Sequence, residues 1–262
     1  MKERRKIMLA GHLWVGTQYR AAHQKTPGAG RLAKTQITSP AKQAFNNTKS
    51  FEKLLTLIAC NFSPSDAVIT LTYRDGNRPR TKEEADKRLS AFIRAFRACR
   101  KGQGQELRYI RVTEGYHSGM RMHHHIIINT EAREIRKARA EIAPLWTDGD
   151  DIDVRPLKWG PPEDRAPPGK RPKEKPRDNF YLTWAHYLTK EPREMGRRRE
   201  GERMWRASIG MRRPTIIYSM VPESDRLEAP SGAHIVDNNM RTNAYGHFHT
   251  IMALLPEGGE MQ

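Results

Sequence analysis

The chain has 262 residues, and its 47 lysines and arginines outnumber its 30 aspartates and glutamates, giving a formal net charge of +17. Such an excess indicates a polyanionic partner, most simply nucleic acid. The two cysteines, Cys60 and Cys99, lack the Cys-x-x-Cys spacing of zinc ribbons, which argues against disulfide scaffolds and cysteine metal sites. No apolar run approaches the length of a membrane span, and we predict a cytoplasmic protein with no membrane partner.

The predicted organisation is one catalytic domain with an extension at each end. Residues 1–44 are basic and show no sustained hydrophobic period, so they are predicted to form a flexible arm. The domain is placed at residues 45–192 and contains a proline- and lysine-rich insertion at 156–177. Residues 193–262 form an arginine-rich extension.

The domain shows the pattern of an α+β fold. A helix at 50–62 leads into a strand, and Thr81 with Glu84 forms a capping box for the next helix. The order strand, helix, strand, strand, helix, strand is predicted for residues 67–73, 81–97, 107–114, 122–128, 130–142 and 152–154. This order is that of a ferredoxin-like or RRM-like antiparallel sheet, whose helices cover one face and leave the other free.

Three consecutive histidines begin the third strand of this pattern. Strand alternation places His123 and His125 on one face and His124 on the other. Two imidazoles side by side on one strand face indicate a metal site. Glu114, at the end of the neighbouring strand, is the candidate for its third ligand. Alternation also groups Glu114 with Ile110 and Val112, which look like core, so a bulge near residues 113–115 is predicted to turn Glu114 towards the histidines.

A second chemical motif lies in the helix after the insertion. A helical-wheel projection groups Tyr181 with Trp184 and Leu188 and predicts that Tyr181 is core. The same projection places Tyr187 and Lys190, one turn apart, on an accessible polar face.

Together these motifs resemble those of HUH endonucleases, specifically the rolling-circle replication initiators (Rep proteins) of filamentous phages and bacterial plasmids. The strand Thr70–Tyr73 resembles the first Rep motif, His123–His125 with Glu114 the metal motif, and Tyr187–Lys190 the nucleophile motif. The resemblance implies a Mn²⁺ or Mg²⁺ site at His123, His125 and Glu114, with Tyr187 as nucleophile and Lys190 beside the scissile phosphate. His124 departs from the pattern, which normally has a hydrophobic residue there.

A more literal His-hydrophobe-His motif occurs at His247 and His249, after the tyrosine instead of before it. These two histidines are an alternative to His123 and His125 as metal ligands, although no carboxylate on a neighbouring hairpin strand accompanies them. The residues predicted to contact DNA are spread over the two sheet strands and the arginine-rich segment: Thr70, Thr72, Arg111, Arg197, Arg198, Arg199 and Trp205.

The function implied by the resemblance is rolling-circle replication initiation: metal-dependent nicking and joining of single-stranded DNA at an origin through a 5′-phosphotyrosine. The expected partners are single-stranded origin DNA and, because no Walker A motif is present, a host helicase and polymerase. The alternatives are a single-tyrosine HUH transposase and a non-enzymatic protein that binds single-stranded nucleic acid.

Overall fold

The chain folds into two units, one of which combines the two ends of the sequence. In the computed structural model the first unit comprises Met1–Cys60 and Arg212–Gln262, and the second Asn61–Met211. The structure describes residues 2–21, 40–115, 121–130, 135–161, 179–190, 203–243 and 246–256. These divisions differ from the predicted boundaries after residues 44 and 192. None of the described helices is both long and apolar enough to cross a membrane.

The described residues form ten strands and four α-helices. In order they are β1 (Lys2–Ala10), β2 (Leu13–Ala21), α1 (Pro40–Asn61), β3 (Ala67–Thr72), α2 (Lys82–Gly102), β4 (Tyr109–Glu114), β5 (His123–Ile128), α3 (Ile135–Ile142), β6 (Asp151–Pro156), α4 (Phe180–Leu188), β7 (Arg206–Ala207), β8 (Thr215–Pro222), β9 (His234–Asn243) and β10 (Gly246–Leu254).

The first unit is built on a five-stranded antiparallel sheet in the order β8-β1-β2-β10-β9. Trp14, Ile251 and Ala253 on one face pack with Leu227. The predicted arm is therefore wrong for residues 2–21, which form two strands of this sheet. Clustered charges in β1 hide the strand pattern, and the strands that complete the sheet lie near the other end of the sequence.

The second unit follows the predicted ferredoxin-like order. Its sheet runs β6-β3-β5-β4-β7, and each described pair is antiparallel. Leu89 and Phe96 of α2 and Ile142 of α3 pack with the sheet residues Ile69 and Ile126 in one core. Thr81 caps α2 by accepting a hydrogen bond from the Glu84 backbone N–H. The Glu84 carboxylate accepts from the N–H of Arg80, not that of Thr81 as a strict capping box requires.

The opposite face of this sheet is not free, contrary to the prediction. Val68, Ile110, Val112 and Ile127 on that face are at most 3% exposed. Helix α4 lies on this face, where the Tyr187 ring contacts the ring of His125. Both faces of the sheet therefore carry buried apolar side chains. Of the predicted insertion, Leu157–Trp159 forms a 3₁₀ helix, and residues 162–177 lie outside the described residues.

Candidate metal centre

Glu114, His123 and His125 converge through ordinary strand pairing. Glu114 lies directly opposite His123, and Val112 lies opposite His125 in an uninterrupted β4–β5 register. Residues paired in this way point to the same face of the sheet. The prediction of a bulge is therefore wrong. Ile110 and Val112 lie on the same face of the sheet as Glu114, His123 and His125 (the metal face) and are buried there.

The three side chains form a tight donor group. Glu114 Oε2 is 3.6 Å from Nε2 of His123 and 3.6 Å from Nε2 of His125. The three donor atoms lie within 4.8 Å of one another, and within the described part of the chain no other group of three or more His, Cys, Asp or Glu residues is as suited to hold a metal ion. Glu114 and His125 are buried, and His123 is half-buried.

Both imidazoles are oriented through Nδ1, which leaves Nε2 directed towards Glu114. His123 Nδ1 donates to the backbone carbonyl of Arg121 at 2.9 Å. His125 Nδ1 is 3.1 Å from the hydroxyl oxygen of Thr70, which can accept its proton. An imidazole that donates through Nδ1 carries its lone pair on Nε2, as a metal ligand must.

Gly115 makes the carbonyl contact to His123 possible. Its φ of +90° is in the region that favours glycine, and a Cβ at this position would lie 2.7 Å from Arg121 O. A side chain here would displace the backbone that orients His123.

The donor group fits a cation, because two of its buried polar atoms have no hydrogen-bond partner among the described residues. These atoms are Glu114 Oε1 and His125 Nε2. A buried polar atom without a partner costs about 1–3 kcal/mol, and an ion held by the group would satisfy His125 Nε2. The group can therefore hold a metal ion.

The electrostatics favour the ligating protonation state at Glu114 and His125, whereas those at His123 favour its protonated form. Burial raises the pKa of Glu114, but His123, His125 and Lys190 outweigh it and hold that pKa at about 2. Burial lowers the pKa of His125 more than Glu114 raises it, so the net shift is downward and the imidazole is neutral. Burial also lowers the pKa of His123, but Glu114 and the Arg121 carbonyl reverse the net direction.

Tyr187 lies beside the donor group but not on the accessible face that was predicted. Its side chain is 8% exposed, and its ring centroid is 5.1 Å from that of His125 and 5.6 Å from that of Trp184. Trp184 and Tyr187 are three positions apart and so are neighbours on the helix surface. Tyr181 is buried, as predicted.

Lys190 links the tyrosine to the donor group. Its Nζ is 3.8 Å from the centre of the Tyr187 ring and 3.9 Å from Glu114 Oε2. The ammonium thus lies between the aromatic face and the carboxylate, where both attract it.

The residues predicted to contact DNA are placed very differently from one another. Thr70 and Thr72 lie on the metal face, paired with His125 and His123. Arg111 is wrong as a DNA contact, because it pairs with Ile126 on the helix-covered face, is buried and donates to Ser90 Oγ at 3.0 Å. Trp205 is half-buried just before β7. Arg197, Arg198 and Arg199 lie outside the described residues.

The rival histidine pair lies on β10 in the first unit. His249 Nε2 is 2.8 Å from Asn238 Oδ1, and His247 Nδ1 is 2.9 Å from Thr242 Oγ1. Neither histidine belongs to a metal-binding group among the described residues. The donor group on β4 and β5 is thus the one with metal-binding geometry.

A buried hydrogen-bond chain behind the donor group was not predicted. His124 is 0% exposed, with Nε2 2.7 Å from Tyr73 Oη and Nδ1 3.0 Å from Thr113 Oγ1. Thr113 in turn donates to Asp86 Oδ1 of α2 at 3.1 Å. Burial lowers the pKa of His124 well below its usual range, so the ring is neutral and can donate from one nitrogen while accepting at the other. The alternation of β5 already placed His124 on the helix face, but its partners are distant in sequence.

Comparison with protein families agrees with this geometry. Residues 66–156 match the family model of the replication-associated proteins described as ORF2. This segment is therefore similar to replication-associated proteins of the Rep type. The match includes all three candidate ligands, Glu114, His123 and His125, and ends before Tyr187. Searches of curated proteins and of solved structures returned no significant match.

Proposed function

We propose that this protein starts rolling-circle replication by nicking and rejoining single-stranded DNA at an origin, with Tyr187 as the nucleophile. The observation that carries the proposal is the position of Tyr187. Its ring lies against His125, and Lys190 lies over that ring while approaching Glu114. The tyrosine ring, a cation and a group able to hold a metal ion are thus adjacent.

Glu114, His123 and His125 would hold the metal ion. Two imidazoles and one carboxylate suit Mn²⁺ or Mg²⁺ and leave coordination positions for phosphate oxygens. When bound, the ion supplies Lewis-acid polarisation of the scissile phosphate.

The remaining chemistry belongs to the chain itself. The phenolic oxygen of Tyr187 forms a bond to phosphorus and releases its proton to solvent. The bond from phosphorus to the 3′ oxygen breaks, and that oxygen takes a proton from solvent to become a 3′-hydroxyl primer. The DNA 5′ end remains on Tyr187 as a phosphotyrosine, and the reverse reaction joins strands.

Lys190 favours the attacking state of the tyrosine. Its ammonium stabilises the developing phenolate through its positive charge and neutralises charge on the phosphate. The contact with Glu114 holds the ammonium in place.

Replication is favoured over transposition by the family match, which is to replication-associated proteins. A protein that only binds nucleic acid would have no use for paired imidazoles and a carboxylate whose buried atoms Glu114 Oε1 and His125 Nε2 have no hydrogen-bond partner among the described residues. Strand separation and synthesis would then fall to a host helicase and polymerase.

The test compares Tyr187→Phe with Tyr181→Phe. Both changes remove one oxygen from a buried ring in α4, so Tyr181→Phe is a matched control. Labelled single-stranded DNA from the encoding replicon is incubated with each protein and Mn²⁺. We expect wild type and Tyr181→Phe to form a covalent adduct and Tyr187→Phe to form none.

Mass spectrometry of the nuclease-trimmed adduct locates the attachment. A nucleotide on Tyr187 supports the proposal. Attachment to Tyr181, or cleavage by Tyr187→Phe at an unchanged rate, would show that a different nucleophile acts.

A further inference from the structure

Strand β8 exposes an apolar edge in the first unit. It is the terminal strand of its sheet, and among the described strands only β1 pairs with it. Its side chains are exposed on both faces of the sheet: Ile216 44%, Ile217 47%, Tyr218 67% and Met220 56%. In a soluble sheet a long apolar edge of this kind offers backbone N–H and C=O groups for pairing with another strand.

The edge lacks the features that normally prevent such pairing. No charged residue occurs from Thr215 to Val221, although the whole chain carries a net charge of +17. Prolines occur only at the borders, at Pro214 and Pro222. A nucleic-acid strand would be held by cations, and β8 has none, so the edge fits an apolar polypeptide strand.

Charges beside the two ends of β8 identify which strand fits. Arg212 and Arg213 precede the strand, while Glu223 and Asp225 follow it. In an antiparallel pair of two identical strands, the basic end of one copy meets the acidic end of the other. With Tyr218 on the two-fold axis, Arg213 of one copy is opposite Glu223 of the second copy, and a shift of one residue puts Arg212 there instead.

We propose that β8 pairs antiparallel with β8 of a second copy of this chain, joining two five-stranded sheets into one continuous sheet across a two-fold axis. Pairing removes the edge, buries the apolar side chains against their counterparts and places opposite charges together at both ends. The inference concerns the first unit and does not depend on the proposed nuclease activity.

The first test is sedimentation equilibrium of the full-length protein over a wide concentration range. We expect a reversible monomer–dimer equilibrium in the wild type. Ile217→Lys places like charges near the axis and should raise the dimer dissociation constant at least about tenfold. The matched control is Met240→Lys on β9, the opposite edge of the same sheet, where the side chain is 76% exposed. It should leave the dissociation constant unchanged.

Charge reversal outside the strand provides a second test that leaves the sheet intact. Glu223 is also 3.5 Å from Arg20 of its own chain, so only the basic partner is changed. Arg213→Glu puts an acidic group opposite Glu223 of the second copy and should weaken the dimer, whereas Arg213→Lys keeps the charge and should leave the dissociation constant unchanged. Circular dichroism checks that each variant is folded. A monomeric wild type at every concentration, equal effects of Ile217→Lys and Met240→Lys, or equal dissociation constants for Arg213→Glu and Arg213→Lys would overturn the proposal.

Discussion

Each imidazole of the donor group is held at the nitrogen that faces away from Glu114. Nδ1 of His123 donates a hydrogen bond to the backbone carbonyl of Arg121, whereas Nδ1 of His125 is hydrogen-bonded to the side-chain hydroxyl of Thr70. The second contact can be removed without altering the strand, because valine has nearly the shape of threonine. Thr70 was predicted to touch DNA, but its hydroxyl contacts a ligand of the donor group.

Thr70→Val is therefore expected to weaken metal binding by about 10–100-fold, the usual cost of losing a group that orients a histidine ligand. Isothermal titration with Mn²⁺ measures the change. Thr72→Val, on the same face of the same strand, is the control and should leave the affinity unchanged. Equal affinities for Thr70→Val and wild type would mean that the Thr70 hydroxyl does not orient His125.

Glu114→Gln tests the carboxylate ligand itself. The change keeps the side-chain volume but removes the negative charge, and we expect Mn²⁺ affinity to fall at least about 100-fold. Glu106→Gln, an exposed carboxylate in the same unit, should bind like the wild type. Anomalous density from Mn²⁺ at His247 and His249 instead would show that the donor group has been wrongly located.

Between elements, His124 connects β5 to β3, β4 and α2. Tyr73 follows β3, Thr113 lies on β4, and Asp86 belongs to α2. The two candidate metal-binding histidines, His123 and His125, flank His124, and Glu114 follows Thr113. The hydrogen-bond chain on the helix face thus fixes the strands that carry the donor group on the other face.

His124→Leu restores the hydrophobic residue usual at this position of the motif but removes the hydrogen bonds from His124 to the hydroxyls of Tyr73 and Thr113. We expect a loss of about 2 kcal/mol in unfolding free energy, because two hydrogen bonds are lost at about 1 kcal/mol each. Urea denaturation measures this loss, and Mn²⁺ titration should show weaker binding. Tyr73→Phe combined with His124→Leu should cost less than the sum of the single changes. Strict additivity would contradict a shared network.

Elements formed by local patterns were predictable from the sequence. The capping threonine, the α2 stripe and the alternating strands β3 to β6 all form as expected, because each depends on neighbours within a few residues. The grouping of Glu114 with His123 and His125 was predictable because the three residues lie on two strands that are consecutive in the chain and pair with each other.

Features that depend on distant contacts were not predictable in the same way. Strands β1 and β2 pair with β8 and β10, which lie near the other end of the chain. Ile110 and Val112 were predicted to be core residues of the one face that the helices cover. They are buried on the opposite face, because both faces of the sheet carry buried apolar side chains. Tyr187 looked polar because the packing of α4 against His125 cannot be seen from the helix alone.

For the whole molecule, the net charge of +17 is expected to dominate affinity for single-stranded DNA. Cations that neutralise phosphates release condensed counterions, so the logarithm of the binding constant should fall steeply and linearly with the logarithm of salt concentration. In the proposed reaction the buried donor group acts at one phosphate only. A chelator should therefore abolish nicking while changing DNA binding little.

Fluorescence anisotropy with a labelled oligonucleotide, at several salt concentrations and with or without EDTA, measures binding, and a denaturing gel measures nicking in the same samples. The salt slope should be the same with and without chelator, because the same surface cations contact the phosphates in both cases. Glu114→Gln should behave like chelated wild type in both assays. If chelation removed binding and nicking together, the metal ion would be holding the DNA as well as activating it, and the basic surface would not be the main source of affinity.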